Sequence, residues 1–405
     1  MAKSILQEIC PKIKCTGCQA CRLGCIKNAI SMEEDEHGHI YPTINQQLCI
    51  NCGKCRRICP SIHEIQRNEI KDVYAGWIKE KNARKKSTSG GVAHLLSEYV
   101  IKNGGYVCGA IWQTPGVIHK IVSTIEELAV FQGSKYAHSD VKETYKEVKI
   151  LLIDSQLVLF TGTPCQIAGL KAFLGKDYAN LLTLDIICHG VPSRKILRDR
   201  IGFMQKQKGK QIINVRFRDK QPDQLHTCMK YIYSDGTSDS VSVYVDPYFC
   251  CFVDNYSLRE NCYHCQYAGS NRVGDFSLAD YWGYTPYSFK FKDYGAGVSA
   301  IIVNTDKAQR IIDLLKPNLL LDKRDYTDAS KANRNMKLPQ SKPHDGNLFW
   351  FDYIAGETVE NLASKYYRPK KNIDSGLKEQ IRILTLMILP RHLIQLIKKI
   401  KTVMR

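Results

Sequence analysis

Two cysteine runs constrain this chain more than any other feature. The first reads Cys15-x-x-Cys18-x-x-Cys21-x-x-x-Cys25, the second Cys49-x-x-Cys52-x-x-Cys55-x-x-x-Cys59, and only the second closes with a proline, Pro60. Three thiolates spaced in this way on a tight loop can wrap one face of an iron–sulfur cube, while the fourth points toward a second cube. Zinc sites rarely use the x-x-x-Cys-Pro ending, and a disulfide framework needs an oxidising compartment that nothing else in the sequence suggests. The spacing therefore selects a unit that accepts and passes single electrons.

The doubled pattern resembles a bacterial two-cluster ferredoxin. That resemblance implies crosswise ligation: Cys15, Cys18, Cys21 and Cys59 hold one [4Fe–4S] cluster, and Cys49, Cys52, Cys55 and Cys25 hold the other. The stretch from Ala29 to Pro42 has the pattern of the intervening hairpin. Ile30, Met32, Ile40 and Ile44 are its expected apolar cover, keeping water off the clusters.

The chain has 405 residues, enough for two or three domains, with 44% hydrophobic and 24% charged residues. These are ordinary values for a globular protein. Met1 to Cys10 lacks the apolar core of a leader, and no 18-residue apolar run occurs, so a cytoplasmic protein is expected. The net charge is +18, and +9 of it lies between Lys365 and Arg405. A basic chain invites a nucleic-acid reading. No nucleic-acid motif accompanies the charge, and the basic tail is interleaved with Ile and Leu rather than with stacking aromatics, so no nucleic-acid partner is expected.

Residues 1–14 form a lead-in, 15–65 the ferredoxin-type unit, and 66–72 a polar linker. Residues 73–350 form the main domain and 351–405 a C-terminal extension. Within the main domain, strand, tight turn and helix repeat at Leu157–Leu174 and Leu181–Gln207, the pattern of an α/β core with parallel strands. Ile212 to Val245 alternates around the turn Ser234-Asp-Gly-Thr237 and predicts an antiparallel extension. The fold class expected is thus an α+β N-terminal unit, then an α/β domain with that extension and an amphipathic helical tail.

Four further cysteines stand at telling positions. Cys165 and Cys188 follow buried strands, and Cys262 and Cys265 form a C-x-x-C pair. Ligands gather at the carboxyl ends of strands in an open α/β sheet. Four thiolates there suit a third [4Fe–4S] cluster, and equally suit ordinary buried cysteines. From about Val73 to Trp350 the chain resembles the beta-subunit family of coenzyme F420 hydrogenases and dehydrogenases, which includes hydroxymethyl-chlorophyll a reductase. The motifs carrying the resemblance are Ser87-Thr-Ser-Gly-Gly91, Gln132-Gly-Ser-Lys-Tyr136, Phe160-Thr-Gly-Thr-Pro-Cys-Gln166, Cys188-His-Gly-Val-Pro192, Leu258-Arg-Glu-Asn-Cys-Tyr-His-Cys265 and Gly274-Asp-Phe-Ser-Leu-Ala-Asp-Tyr-Trp-Gly283. It implies a flavin, FAD or else FMN, beside a cluster held by Cys165, Cys188, Cys262 and Cys265.

The glycine-rich pieces make physical sense as flavin contacts. Ser87, Thr88, Ser89, Gly90 and Gly91 precede a predicted helix, whose N-terminal N–H groups suit a pyrophosphate or a flavin edge. Gly133, Ser134, Lys135 and Tyr136 supply a cation, and Thr161, Gly162 and Thr163 supply hydroxyls at a strand end. For each hydroxyl, a local backbone bond is the alternative use. His189 and His264 neighbour the proposed ligands and are expected as hydrogen-bond donors rather than bases. No protein acid or base is assigned a catalytic role, since the cofactors carry the chemistry.

The reading is a flavin- and iron–sulfur-dependent oxidoreductase. Its partners would be an electron carrier such as ferredoxin and a small organic substrate or deazaflavin. The alternative is an electron-transfer subunit without its own substrate, including an accessory to polysaccharide biosynthesis, as bacterial members of the family resemble. In the tail, Leu393, Leu396, Ile397, Ile400 and Val403 share one helical face and Pro390 interrupts the run. That face is expected to pack on the core or an oligomer partner, or to contact the inner membrane surface.

Overall fold

The fold is described from a computed structural model over residues 7–220 and 227–367. The basic tail with its amphipathic face lies outside these residues. Among the described residues no helix is long and apolar enough to cross a membrane.

The N-terminal unit is a hairpin, β1 (Ile30–Glu34) with β2 (Ile40–Ile44), flanked by the two cysteine loops. Its register pairs Ile30 with Ile44 and Met32 with Pro42. Side chains two apart share a face of a strand, so these four meet on one side. Ile30 and Ile40 are buried, and Met32 and Ile44 are half-buried.

The main domain is built on a mixed sheet of nine strands. In chain order these are β3 (Asp72–Ile78), β4 (Tyr106–Gln113), β5 (Gly116–Val122), β6 (Ser139–Asp140), β7 (Val158–Gly162), β8 (Leu181–Ile186), then β12 (Phe276–Asp280), β13 (Ser299–Val303) and β14 (Leu319–Arg324). Their spatial order is β14-β3-β13-β12-β8-β7-β4-β5-β6. The centre, β4, β7, β8 and β12, is parallel, while β13, β3 and β14 follow beside it, each antiparallel to the strand before. In β7 the run Val158–Phe160 is wholly apolar and buried because helices cover both faces of the sheet. The helix Val92–Lys102 packs Leu96 and Val100 against Leu159, Leu182 and Ile301 on one side. The helices Thr144–Ile153 and Pro164–Leu174 pack Val148, Ile167 and Leu170 against Val158 and Phe160 on the other.

Between β8 and β12 the chain makes the predicted excursion, β9 (Ile212–Asp219), β10 (Cys228–Tyr233) and β11 (Ser238–Ser242). These form a separate antiparallel sheet in the order β11-β10-β9, and Tyr233 N donates to Thr237 O at 2.9 Å across the Asp235–Gly236 turn. The polar stretch 66–72 is fastened rather than loose. Asn68 pairs with Arg272 in an isolated bridge, and Arg67 Nη1 donates to Gln266 O at 2.6 Å.

One buried ion pair fixes the end of β8, just before Cys188. Asp185 is fully buried and Arg272 is 1% exposed. Arg272 Nη2 donates to Asp185 Oδ1, its Nε donates to Ser277 Oγ at 3.0 Å and its Nη1 to Tyr267 O at 2.9 Å. Gly274 N donates to the other Asp185 oxygen at 2.8 Å. Breaking such a pair leaves a charge stranded in the interior, at a cost of about 3–5 kcal/mol. Arg272→Met is therefore expected to lower the urea unfolding midpoint, read by far-ultraviolet circular dichroism. An unchanged midpoint would show that Asp185 is satisfied by its backbone donor.

Candidate functional site

The N-terminal cysteines gather as two sets in the crosswise arrangement. Cys15, Cys18, Cys21 and Cys59 line one small hollow together with Cys10, Met32 and Pro42. Cys10 forms hydrogen bonds with Cys15 and Cys59 that pull the former thiol down to about 6 and the latter to about 7. Burial pushes Cys18 up to about 12 and Cys21 well above the usual thiol range. In the other set Cys55 is raised by burial, with Cys25, Cys49 and Cys52 adding like charge from close by.

A third set forms where the main sheet meets this unit. Cys165 opens the helix Pro164–Leu174, Cys188 lies two residues beyond β8, and Cys262 and Cys265 flank the end of a 3-10 turn, Glu260–His264. All four line one hollow. Burial pushes Cys165 and Cys262 up to about 12 and Cys188 well above the ordinary range, and each is raised further by its neighbours in the set. None of the seventeen cysteines is in a disulfide. Four dehydrated thiols facing one another resist ionisation, whereas a cationic iron core reverses both the burial and the repulsion terms. The donor chemistry of all three sets fits iron–sulfur clusters.

Short backbone approaches bring the sets together. Gly169, on the helix that starts at Pro164, faces Cys18, and a Cβ there would lie 2.8 Å from Cys18 Cβ. Gly17 has φ +68°, and a Cβ on it would lie 2.7 Å from Arg259 Nη2. Through that gap Arg259 donates to Ile40 O at 2.7 Å and Cys15 O at 3.3 Å, with its guanidinium 4.5 Å from the Tyr41 ring centroid. Asn261 Nδ2 donates to Ile13 O and Lys14 O, and Gln266 Nε2 to Pro60 O.

Beyond the third set opens a cavity of about 1100 Å³. Cys165 and Cys188 stand in both walls, and Thr16 borders this cavity and the hollows of two cysteine sets. Its hydroxyl is buried without a hydrogen-bond partner. The cavity is lined by Ser87, Thr88, Ser89, Gly91, Gly133, Ser134, Lys135, Tyr136, Thr161, Gly162 and Thr163. Gly90 sits behind this wall, its N–H bonded to Ser299 Oγ at 3.0 Å.

Most hydroxyls singled out in the sequence are used locally. Ser87 Oγ donates to Ala83 O and Ser89 Oγ to Val298 O, both at 2.8 Å. Thr161 Oγ1 donates to Cys108 O at 3.1 Å, and Thr163 Oγ1 contacts Cys165 Sγ at 3.1 Å. Ser134 N donates to Thr88 Oγ1 at 3.0 Å, joining the two loops. The helix Val92–Lys102 begins at Gly91, φ +81°, with no side-chain cap, so its first N–H groups are left for a ligand. Lys135 donates to Val130 O and Gln132 O at 3.1 Å, and its half-buried position dehydrates the ammonium and lowers its pKa to about 7.

His189 contacts Phe252 O at 3.3 Å and Gln340 Nε2 at 3.2 Å, whereas His264 is exposed. Two groups escaped the sequence reading. Arg218 on β9 reaches across to donate to Asp280 Oδ2 at 2.6 Å and Tyr136 Oη at 2.9 Å. His119 on β5 bridges Ser139 Oγ at 2.7 Å and Thr161 O at 3.0 Å, and burial lowers its pKa to about 4. Each is a lone residue inside a strand, with no local motif to mark it.

Residues 155–329 match the family model that describes the C terminus of the coenzyme F420 hydrogenase/dehydrogenase beta subunit. Residues 14–62 match that of a 4Fe-4S dicluster domain. Among solved structures, a chain of the F420-reducing [NiFe] hydrogenase complex from Methanosarcina barkeri is similar at 16% identity, with 64% of this chain and 84% of that one covered and a TM-score of 0.43. No curated protein matches.

Proposed function

From the match of residues 155–329 to the C terminus of the coenzyme F420 hydrogenase/dehydrogenase beta subunit and of residues 14–62 to a 4Fe-4S dicluster domain, we propose that this chain is an iron–sulfur electron-transfer protein of that family and also a flavin-dependent oxidoreductase. The observation that carries the reading is the continuity of the cysteine sets with the cavity. Cys18 packs against the helix that bears Cys165, and Cys165 and Cys188 border the cavity itself.

Bound in that cavity, a flavin would exchange an electron pair with an organic substrate and single electrons with the neighbouring cluster. The chain's own residues bind and orient. Lys135 offers the cation for an anionic part of the ligand, and the uncapped helix start at Gly91 offers backbone N–H groups. Arg218, held by Asp280 and Tyr136, stiffens the cavity wall. Cys165, Cys188, Cys262 and Cys265 would hold a third cluster, and Thr16 has a free hydroxyl at the junction. The family's name makes the deazaflavin coenzyme F420 one candidate for the small molecule.

Anaerobically purified protein is expected to carry about twelve iron atoms, four for each of three clusters, and one non-covalent flavin per chain. Iron and flavin quantitation checks both. Cluster-loaded protein that binds neither FAD nor FMN would leave an electron-transfer protein and remove the flavin chemistry.

A further inference from the structure

The three cysteine sets differ in how they meet solvent. Cys15, Cys18, Cys21 and Cys59 are all buried, and the third set lies behind the N-terminal unit. Cys52 alone among the seventeen cysteines is exposed. Any cluster held by Cys25, Cys49, Cys52 and Cys55 therefore presents an edge to the outside.

The rim of that edge is apolar and basic. Ile26, Leu48 and Ile50 are 67%, 51% and 55% exposed. Lys27, Lys54, Arg56 and Arg57 are exposed around them. Arg57 Nη1 donates to Cys52 O at 2.9 Å and Arg56 Nη1 to Glu8 O at 3.3 Å, so both are held in place by backbone carbonyls. By contrast Arg22, nearby in sequence, is neutralised by Glu143 at 2.7 Å. From Ile9 to Met32 and from His37 to His63 the sequence holds seven Lys and Arg and no acidic residue. An apolar centre ringed by cations that form no ion pair among the described residues suits a partner with an apolar contact and an acidic rim.

We propose that this face docks an acidic one-electron carrier protein, with Ile26, Leu48 and Ile50 as the contact and Lys27, Lys54, Arg56 and Arg57 as the steering rim. The inference rests on the electron path proposed above and names its outer terminus. At each encounter one electron passes from the reduced carrier to the cluster behind Cys52, or back. The carrier is oxidised by one electron, the cluster is reduced by one, and no bond or proton moves.

The test compares the full-length, cluster-loaded wild type with a Lys27→Glu/Lys54→Glu variant. Stopped-flow absorbance follows cluster reduction by an acidic two-cluster bacterial ferredoxin. At low ionic strength the variant should react about tenfold more slowly, because steering between opposite charges raises encounter rates by that order or more. The gap should close at about 0.5 M salt, where screening shortens the reach of charge. A basic probe, cytochrome c, should reoxidise the reduced variant faster than the reduced wild type. The electron paramagnetic resonance spectrum of dithionite-reduced protein should be unchanged. Equal rates and equal salt slopes would overturn the proposal. So would a deficit that persists at high salt, which would place these lysines in cluster binding. So would a wild-type dimer that the variant dissociates, which would give the face to a second copy. Cluster reduction is read without flavin, so failure here and failure of the flavin reading are separate results.

Discussion

Replacing Cys262 and Cys265 together with serine is expected to remove about one third of the bound iron, four atoms of twelve. The N-terminal cluster signals should persist. Serine keeps the size of cysteine but binds iron poorly, so the change removes ligands and leaves the packing alone. The loop should hold its place, because Arg259, Asn261 and Gln266 tie it to carbonyls of the N-terminal unit, and none of those bonds uses a thiol. The measurement is iron per chain after anaerobic reconstitution, with electron paramagnetic resonance to count the surviving clusters. Unchanged iron would reduce this set to buried structural cysteines.

Lys135→Ala should weaken flavin retention by about ten- to a hundredfold, the range for losing a charge-assisted hydrogen bond of about 1.5–3 kcal/mol. The same lysine predicts a pH dependence. Its pKa is lowered to about 7 by dehydration, so the ammonium is present below that value and lost above it. Affinity for an anionic ligand part should therefore fall as pH rises above about 7. A bound anion favours the charged lysine and moves the fall upward. Fluorescence titration of FAD against pH, on wild type and variant, separates the cases. Equal affinity with equal pH slopes would make Lys135 a loop-bracing residue that serves only Val130 and Gln132.

What the sequence could say divides along physical lines. Cluster spacing is local, so the crosswise sets were legible from residues 15–60 alone. The alternation of buried strand, turn and helix was legible at Cys165, because Pro164 at the first helical position and Gln166, whose Oε1 accepts from Thr163 N at 3.0 Å, are local start signals. The helix Thr144–Ile153 likewise starts on a local signal, since Val141 O is taken by both the Thr144 N–H and its hydroxyl. The pairing of β3 with β13 and β14 was not legible, since it joins segments far apart in the chain with no turn between them. Arg218 and His119 were missed as site builders for the same reason. Each acts across a gap that only the tertiary fold closes.

The bonds that Arg259, Asn261 and Gln266 make to the N-terminal unit bear on how the inner thiols are reached. They hold the loop of Cys262 and Cys265 against residues 13–15, 40 and 60, so the N-terminal unit stoppers the third set on that side. Cys165 and Cys188 also border the cavity. The stopper is therefore one-sided, and whatever fills the cavity decides what reaches these thiols from the other side.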